Sequence, residues 1–248
     1  MSRRNGPAGG ARGGEHAPPL DSRARLLNAA IDEFARNGLL GARVDVIARR
    51  ARINKQLIYH YFGGKEQLYV AVLEHVYADI RGKERALHLP GSDPLTAMRT
   101  LVGFTFDYVS QNRAFVRLLT NENLLEAKYA RRSKRIKETR SPLVALLDET
   151  LRRGAAAGLF RKNLDPVQVY ISIAGLCFFY VANIHTLSVL FERDMEKRAA
   201  LRERRAHVVE FVLGYLTNTA AAAASRRKHS RPAANGRRSA ATAAAGLL

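Results

Sequence analysis

Residues 43–68 read RVDVIARRARINKQLIYHYFGGKEQL, and the spacing of their apolar side chains decides the fold. Val44, Ile47, Ala48 and Ala51 recur at helical intervals and predict one short amphipathic helix; Ile53, Leu57, Ile58, Tyr61 and Phe62 predict a second. Only Arg52, Ile53 and Asn54 separate them, with Asn54 placed to cap the second helix. Two short helices joined so tightly form a helix-turn-helix, whose second helix fits the major groove of duplex DNA.

The side chains on the second helix suit that reading. Lys55, Gln56, Tyr59 and His60 fall on or near the side opposite the apolar contacts, and their chemistry matches base edges and phosphates. Tyr61 flanks them. Gly63-Gly64 then breaks the helix, and Lys65 opens the next one, where its ammonium and the first backbone amides can face a phosphate. Arg43 and Arg52 are candidates for further phosphate contacts, with two solvated arginines as the alternative. Residues 21–65 hold nine Lys and Arg against four Asp and Glu, the sign that a phosphate-facing module requires.

The run Ile47-Ala48-x-x-Ala51, then Ile53-Asn54-Lys55, Tyr59-His60-Tyr61-Phe62 and Lys65-x-x-Leu68 resembles the signature of the tetracycline-repressor (TetR) family of transcriptional regulators. With the helix before it, the resemblance covers roughly residues 21–70. Two positions depart from the family pattern: Arg43 stands where Thr or Ser is usual, and Arg52 where Gly is usual. A left-handed Arg52 would cost on the order of 1 kcal/mol. The resemblance implies a DNA-binding head in which Arg43, Asn54, Lys55, Gln56, Tyr59, His60, Tyr61 and Lys65 meet double-stranded DNA. It also implies a larger helical domain that binds a small inducer and forms a homodimer through its last two helices. The Asp165-Pro166 start and the apolar helix after it resemble a branch of the family that regulates catabolic genes.

The chain has 248 residues, 47% of them hydrophobic, enough for one large or two modest cores. Its formal net charge of +19 favours a polyanionic partner, nucleic acid ahead of a membrane surface. Cys177 is the only cysteine, which rules out an intrachain disulfide and a cysteine-based metal cage and predicts a small buried apolar residue. Residues 1–20 carry positive charge without an apolar secretory core, so a cytoplasmic chain is expected, with this Gly/Pro-rich stretch as a disordered arm. Residues 219–248 read as a second disordered, basic tail.

Between these ends the pattern is all-α, about nine helices: a three-helix head over 21–66 and a ligand-binding and dimerisation domain over 67–218. Asp21 or Ser22 caps the first helix, whose stripe of Leu26, Leu27, Ala30, Ile31 and Phe34 ends at Asn37-Gly38. The helix opened by Lys65 runs to about Leu87 before Pro90-Gly91 and is long enough to act as a lever between head and domain. Asp93-Pro94 and Asp165-Pro166 are further helix starts. Arg131–Arg140 holds six Lys and Arg against one Glu, a solvated segment or a contact with flanking DNA.

The 23 residues from Val169 to Phe191 lack a formal charge, but Asn183, His185, Thr186 and Ser188 crowd their second half. They predict an apolar helix packed against its own domain and a second subunit rather than a membrane span. Phe104, Tyr108, Phe115, Phe178 and Phe179 are a larger aromatic supply than a helix bundle of this size needs, and with Asn123, Asn183 and His185 as polar anchors they are candidates for binding a small apolar or aromatic effector, with core packing as the alternative use of each. A histidine within an apolar helix is more often a satisfied core or pocket residue than a sensor of ligand charge, and His185 is expected to follow that rule. No Gly-rich phosphate loop, GxSxG elbow, HExxH pair or Cys/His cluster is present, so no catalytic residue, cofactor or metal site is expected. A sequence-non-specific architectural DNA-binding protein is the alternative that the net charge leaves open.

Overall fold

Side-chain caps set the helix starts. Asp21 accepts a hydrogen bond from the Ala24 N–H at 2.6 Å, Asp93 from Thr96 at 2.9 Å and Asp165 from Val167 at 2.8 Å. Pro94 and Pro166 occupy first helical positions, where a missing N–H costs nothing. The computed structural model describes residues 21–217 apart from 88, 90 and 139, and it is all-α. The arm 1–20, the tail 219–248, His88 and the Pro90 helix stop lie outside the described residues.

The helices are α1 (Ser22–Gly41), α2 (Val44–Ala51), α3 (Gln56–Phe62), α4 (Lys65–Arg85), α5 (Pro94–Gln111) and α6 (Arg113–Leu124). After a 3-10 turn at Ala130–Arg132 come α7 (Lys134–Glu138), α8 (Arg140–Ala156), α9 (Pro166–Ala182), α10 (Ile184–Leu190) and α11 (Arg198–Leu216). The eleven helices among the described residues exceed the nine expected, for two local reasons. The basic run after Ala130 folds into a 3-10 turn and α7. The uncharged stretch after Asp165 is also not one helix. Asn183 leaves helical geometry at φ −108°, ψ 14°, its side-chain amide donates to the Phe179 carbonyl at 2.9 Å, and α9 and α10 meet at a 69° bend. Among the described residues, no single helix is long and apolar enough to cross a membrane.

The chain folds as two compact units. The described part of the first comprises 21–75 together with Arg117–Ser133. Its core includes Leu26, Ala30, Phe34, Ile47, Ile58, Leu68, Tyr69 and Leu118, with Phe34 and Tyr69 edge to face at 5.1 Å. Gly38, at φ 62°, breaks α1 where expected, before a final helical turn to Gly41. The described part of the second unit comprises Val76–Val116 and 134–217.

In the second unit α5 packs against α8, α9 and α11, and the core includes Met98, Val102, Phe106, Leu147, Ile173, Cys177, Val208 and Leu216. Cys177 is fully buried, as its chemistry suggested, and burial pushes its thiol up to about 12. The Phe160 ring lies directly on Gly154, where any Cβ would overlap it. Residue 160 pairs with Thr217, and the Arg161 N–H donates to the Leu216 carbonyl at 2.8 Å, closing the unit at the end of α11.

Candidate nucleic-acid interface and effector residues

The interface is built from α2, the turn after it, and α3. Ile47, Ala48 and Ala51 are buried on one side of α2, which leaves its arginines outward. Arg52 adopts the left-handed conformation, φ 54° and ψ 48°, in the place the family usually gives to Gly. Two features hold it there. The Ile53 N–H reaches back to the Ala48 carbonyl at 3.0 Å, the long hydrogen bond of a Schellman-type end. The Arg25 guanidinium on α1 donates to the carbonyls of both Ala51 and Arg52, at 2.5 and 3.1 Å.

Arg43 begins α2 without a side-chain cap. Its N–H instead donates to Glu33, at 3.3 Å, from the middle of α1. The Glu33 carboxylate is buried and also accepts from Asn37, at 2.9 Å, and Arg50, at 3.0 Å. Glu33 belongs to no sequence motif, but it lies in register with Leu26, Ala30 and Phe34 on the inward face of α1, where a charge needs partners.

Asn54 Oδ1 accepts from the Gln56 N–H at 2.9 Å and so caps α3. Ile58 is the fully buried anchor of α3, with Leu57 and Phe62 half-buried. Lys55, Gln56, Tyr59, His60 and Tyr61 are exposed together along one short helix, with the His60 and Tyr61 rings edge to face at 5.1 Å. Gly63, at φ 84°, ends α3 by donating its N–H to the Tyr59 carbonyl. Lys55 is held by Asp45 at the first turn of α2, 2.7 Å away. The mutual hydrogen bond and charge pull Asp45 below the usual carboxylate range and raise Lys55, which therefore stays cationic. To reach a base or phosphate, Lys55 has to exchange that carboxylate for DNA. Lys65 donates to the Leu40 carbonyl at 3.2 Å, beside the start of α4.

The effector candidates fall into separate places. Phe104, Tyr108 and Phe115 come together in the second unit: Tyr108 lies 5.9 Å from Phe104 and 5.4 Å from Phe115, and Tyr77 adds a fourth ring 6.2 Å from Phe115. The Tyr108 hydroxyl donates to Asp79 at 2.9 Å, and burial with that carboxylate pushes its pKa up. In the same unit, Arg81 is buried with Glu84 and donates to the Tyr170 hydroxyl at 2.9 Å; burial pushes the Glu84 carboxyl up against the opposing pull of Arg81.

The remaining candidates do not join that cluster. Phe178 is half-buried against the core of the second unit, whereas its neighbour Phe179 is 59% exposed. His185 is not a core histidine: its side chain is 70% exposed, with Nδ1 3.6 Å from Glu196. The bend at Asn183 turns it outward, so Phe179, Asn183 and His185 line an open depression with Leu187, Val189 and Leu190. Asn123 is exposed, belongs to the first unit and donates to its own helix at Leu119.

Two family models match the chain: "Bacterial regulatory proteins, tetR family" over residues 26–72 and "Tetracyclin repressor-like, C-terminal domain" over 94–212. The HTH-type transcriptional repressor NicS of Pseudomonas putida is 38% identical over 179 residues, covering 72% of this chain and 84% of that protein. Among solved structures, the transcriptional regulator SCO4942 of Streptomyces coelicolor aligns with a TM-score of 0.60 at 28% identity, covering 79% of this chain and 98% of that one. FadR of Bacillus subtilis in complex with stearoyl-CoA has the same fold, with a TM-score of 0.59 at 17% identity over 78% of this chain and 98% of that one. The chain belongs to the tetracycline-repressor family of transcriptional regulators.

Proposed function

We propose that the protein is a repressor that binds a palindromic operator as a homodimer and is released from it by a small-molecule effector. The observation that carries this reading is α3 itself, which commits Ile58 to the core and presents Lys55, Gln56, Tyr59 and His60 to solvent on a turn closed by Arg52. Residues 21–66 act as the DNA-binding domain, in one compact unit with Arg117–Ser133, and the rest of 67–218 acts as the effector and dimerisation domain. Arg43, Asn54, Tyr61 and Lys65 complete the DNA contacts, Asn54 through the cap that fixes the start of α3. One such helix reads few base pairs, so tight specificity requires a second copy and a two-fold symmetric site.

The face for that second copy is apolar and uncovered. Val167, Ile171 and Phe179 of α9, Val189 and Leu190 of α10, Phe191 just after it, and Phe211 and Tyr215 of α11 are all exposed. So many exposed large apolar side chains on α9, α10 and α11 are what a subunit contact covers. Phe179, Asn183 and His185 then serve this contact, and the Phe104, Tyr108 and Phe115 cluster serves the effector. The effector is small and apolar or aromatic, to match those rings. Release requires that it bind the DNA-incompetent form more tightly; a hundredfold preference lowers DNA affinity by at most ~2.7 kcal/mol per saturated site. The helix α4 contributes residues to both units and is the element that carries this coupling.

The test is selection of genomic fragments by the purified protein under competitor DNA and raised salt, followed by sedimentation of the complex on the enriched site. The proposal expects one recurring palindrome and two protein copies per site, loosened by a substrate or product of the enzymes encoded beside it. Enrichment without a recurring motif would favour an architectural DNA-binding role instead.

A further inference from the structure

The segment Arg117–Ser133 is part of the same compact unit as α1–α3, although 41 residues of the second unit's sequence, Val76–Val116, separate it from them. It is held there by specific contacts. The side-chain amide of Asn121 donates to the Phe34 carbonyl at 3.3 Å, and the Tyr129 ring stands edge to face on Tyr69 at 5.5 Å. The Ser133 hydroxyl donates to Glu74 at 2.7 Å. Buried Glu122 accepts from the N–H groups of both Tyr129 and Ala130 at 2.8 Å, and the chain turns sharply through left-handed Glu126 and Ala127. The turn is therefore a built feature with a fixed shape.

Its position gives it a use. Tyr129 and Arg132 both bind Glu66, at 3.0 and 3.1 Å, and Glu66 is the second residue of α4, next to Lys65 and just past the end of α3. Those contacts occupy the carboxylate that would otherwise repel a phosphate at the start of α4, and they leave a cation on the Tyr129 ring at 4.9 Å (Arg132) and another at 5.5 Å (Lys128). Lys128 and Arg131 are exposed and make no ion pair among the described residues; the exposed carboxylate of Glu126 is the opposing charge on the turn. The basic run seen in the sequence is thus divided, with Arg131 and Arg132 in the first unit and Lys134 onward in the second.

We propose that Lys128 and Arg131 form a second phosphate-gripping surface of the DNA-binding unit, fixed beside the start of α4 by Tyr129, Arg132 and Glu66. The occupant is the backbone of duplex DNA, because the surface offers cations without a shaped pocket and shares a unit with α3. The proposal rests on the DNA-binding reading above. It adds affinity and salt dependence without reading bases.

The experiment compares full-length protein with Lys128→Ala/Arg131→Ala on the selected operator, across a range of salt concentrations. Each phosphate contact contributes about 0.9 to the slope of log affinity against log salt, and two copies on the operator carry four of these side chains, so the double variant should lose about 3.6 from that slope, nearly two per copy, while keeping the same motif in selection. Lys162→Ala/Lys197→Ala removes the same formal charge from exposed positions of the second unit and should leave the slope near wild type. Equal slopes for wild type and the Lys128/Arg131 variant would overturn the proposal, and so would an equal change in the control pair, which would reduce the effect to net charge. If wild type itself selects no motif, the operator reading fails. The slope comparison on any duplex still decides the surface.

Discussion

Replacing Glu33 by alanine should loosen the DNA-binding unit from the inside. The carboxylate is 3% exposed and receives Arg50, the Arg43 N–H and Asn37. Removing one partner of a fully buried ion pair costs about 3–5 kcal/mol, because the other charge is left without compensation. Arg50 is 39% exposed and can turn to water, which lowers that figure. The N–H that starts α2 then loses its acceptor, and hydrogen bonds to charged groups are worth ~1.5–3 kcal/mol each. Together these place Glu33→Ala at ~2–4 kcal/mol destabilising, with Glu33→Gln at ~1–2 kcal/mol because an amide retains an acceptor and part of the packing. Denaturant unfolding and amide hydrogen exchange are the assays. Exchange should quicken first in α1 and α2, with the α5, α9 and α11 core unaffected at low denaturant. A Glu33→Ala protein within about 0.5 kcal/mol of wild type would refute the reasoning, since it would mean that the buried carboxylate is not compensating those donors.

Arg52→Gly should stabilise the chain by ~1 kcal/mol in denaturant midpoint, because glycine adopts the left-handed conformation without the Cβ penalty. Unchanged or lower stability would show that Arg52 earns its place by contacts of its own. Phe160→Ala, which empties the space over Gly154, should cost ~3–5 kcal/mol by denaturant unfolding, and Gly154→Ala should also destabilise because its methyl group overlaps the ring. Cys177, with its thiol raised from 9.0 to about 12, should resist thiol reagents in the native protein near neutral pH and react once the chain is unfolded. Rapid native labelling would mean that α9 opens readily.

Local chemistry makes the helix starts and the helix-turn-helix legible in the sequence. Asp93, Asp165 and Asn54 cap where their spacing said they would, and Gly38 and Gly63 end helices through positive φ. Asn183 was not legible as a break because asparagine is tolerated within helices, and only the return of its amide to the Phe179 carbonyl shows the bend. That bend also carries His185 from an expected interior to the surface. The Lys55–Asp45 pair was not legible because Asp45 is ten positions earlier, at the far end of the preceding helix. Residues 117–133 could not be assigned to the first unit from periodicity, because what places them there is long-range: Asn121 on Phe34, Tyr129 on Glu66 and Tyr69. The effector candidates divided for the same reason. Shared composition had grouped them, whereas the fold joins Phe104, Tyr108 and Phe115 and leaves Asn123 in the other unit.

The central claim is that the exposed side of α3 reads base sequence, and parallel binding-site selection with wild type, Gln56→Ala and Tyr59→Ala tests it most directly. Wild type should enrich a two-fold symmetric motif. Gln56→Ala should bind the same duplexes but lose discrimination at one position in each half-site by roughly 5- to 150-fold, the range for a good base contact. Tyr59→Ala should change preference or affinity at an adjacent position, since the two side chains lie one turn apart on the exposed side. Motifs identical to wild type in both variants would contradict the account and move base reading away from α3.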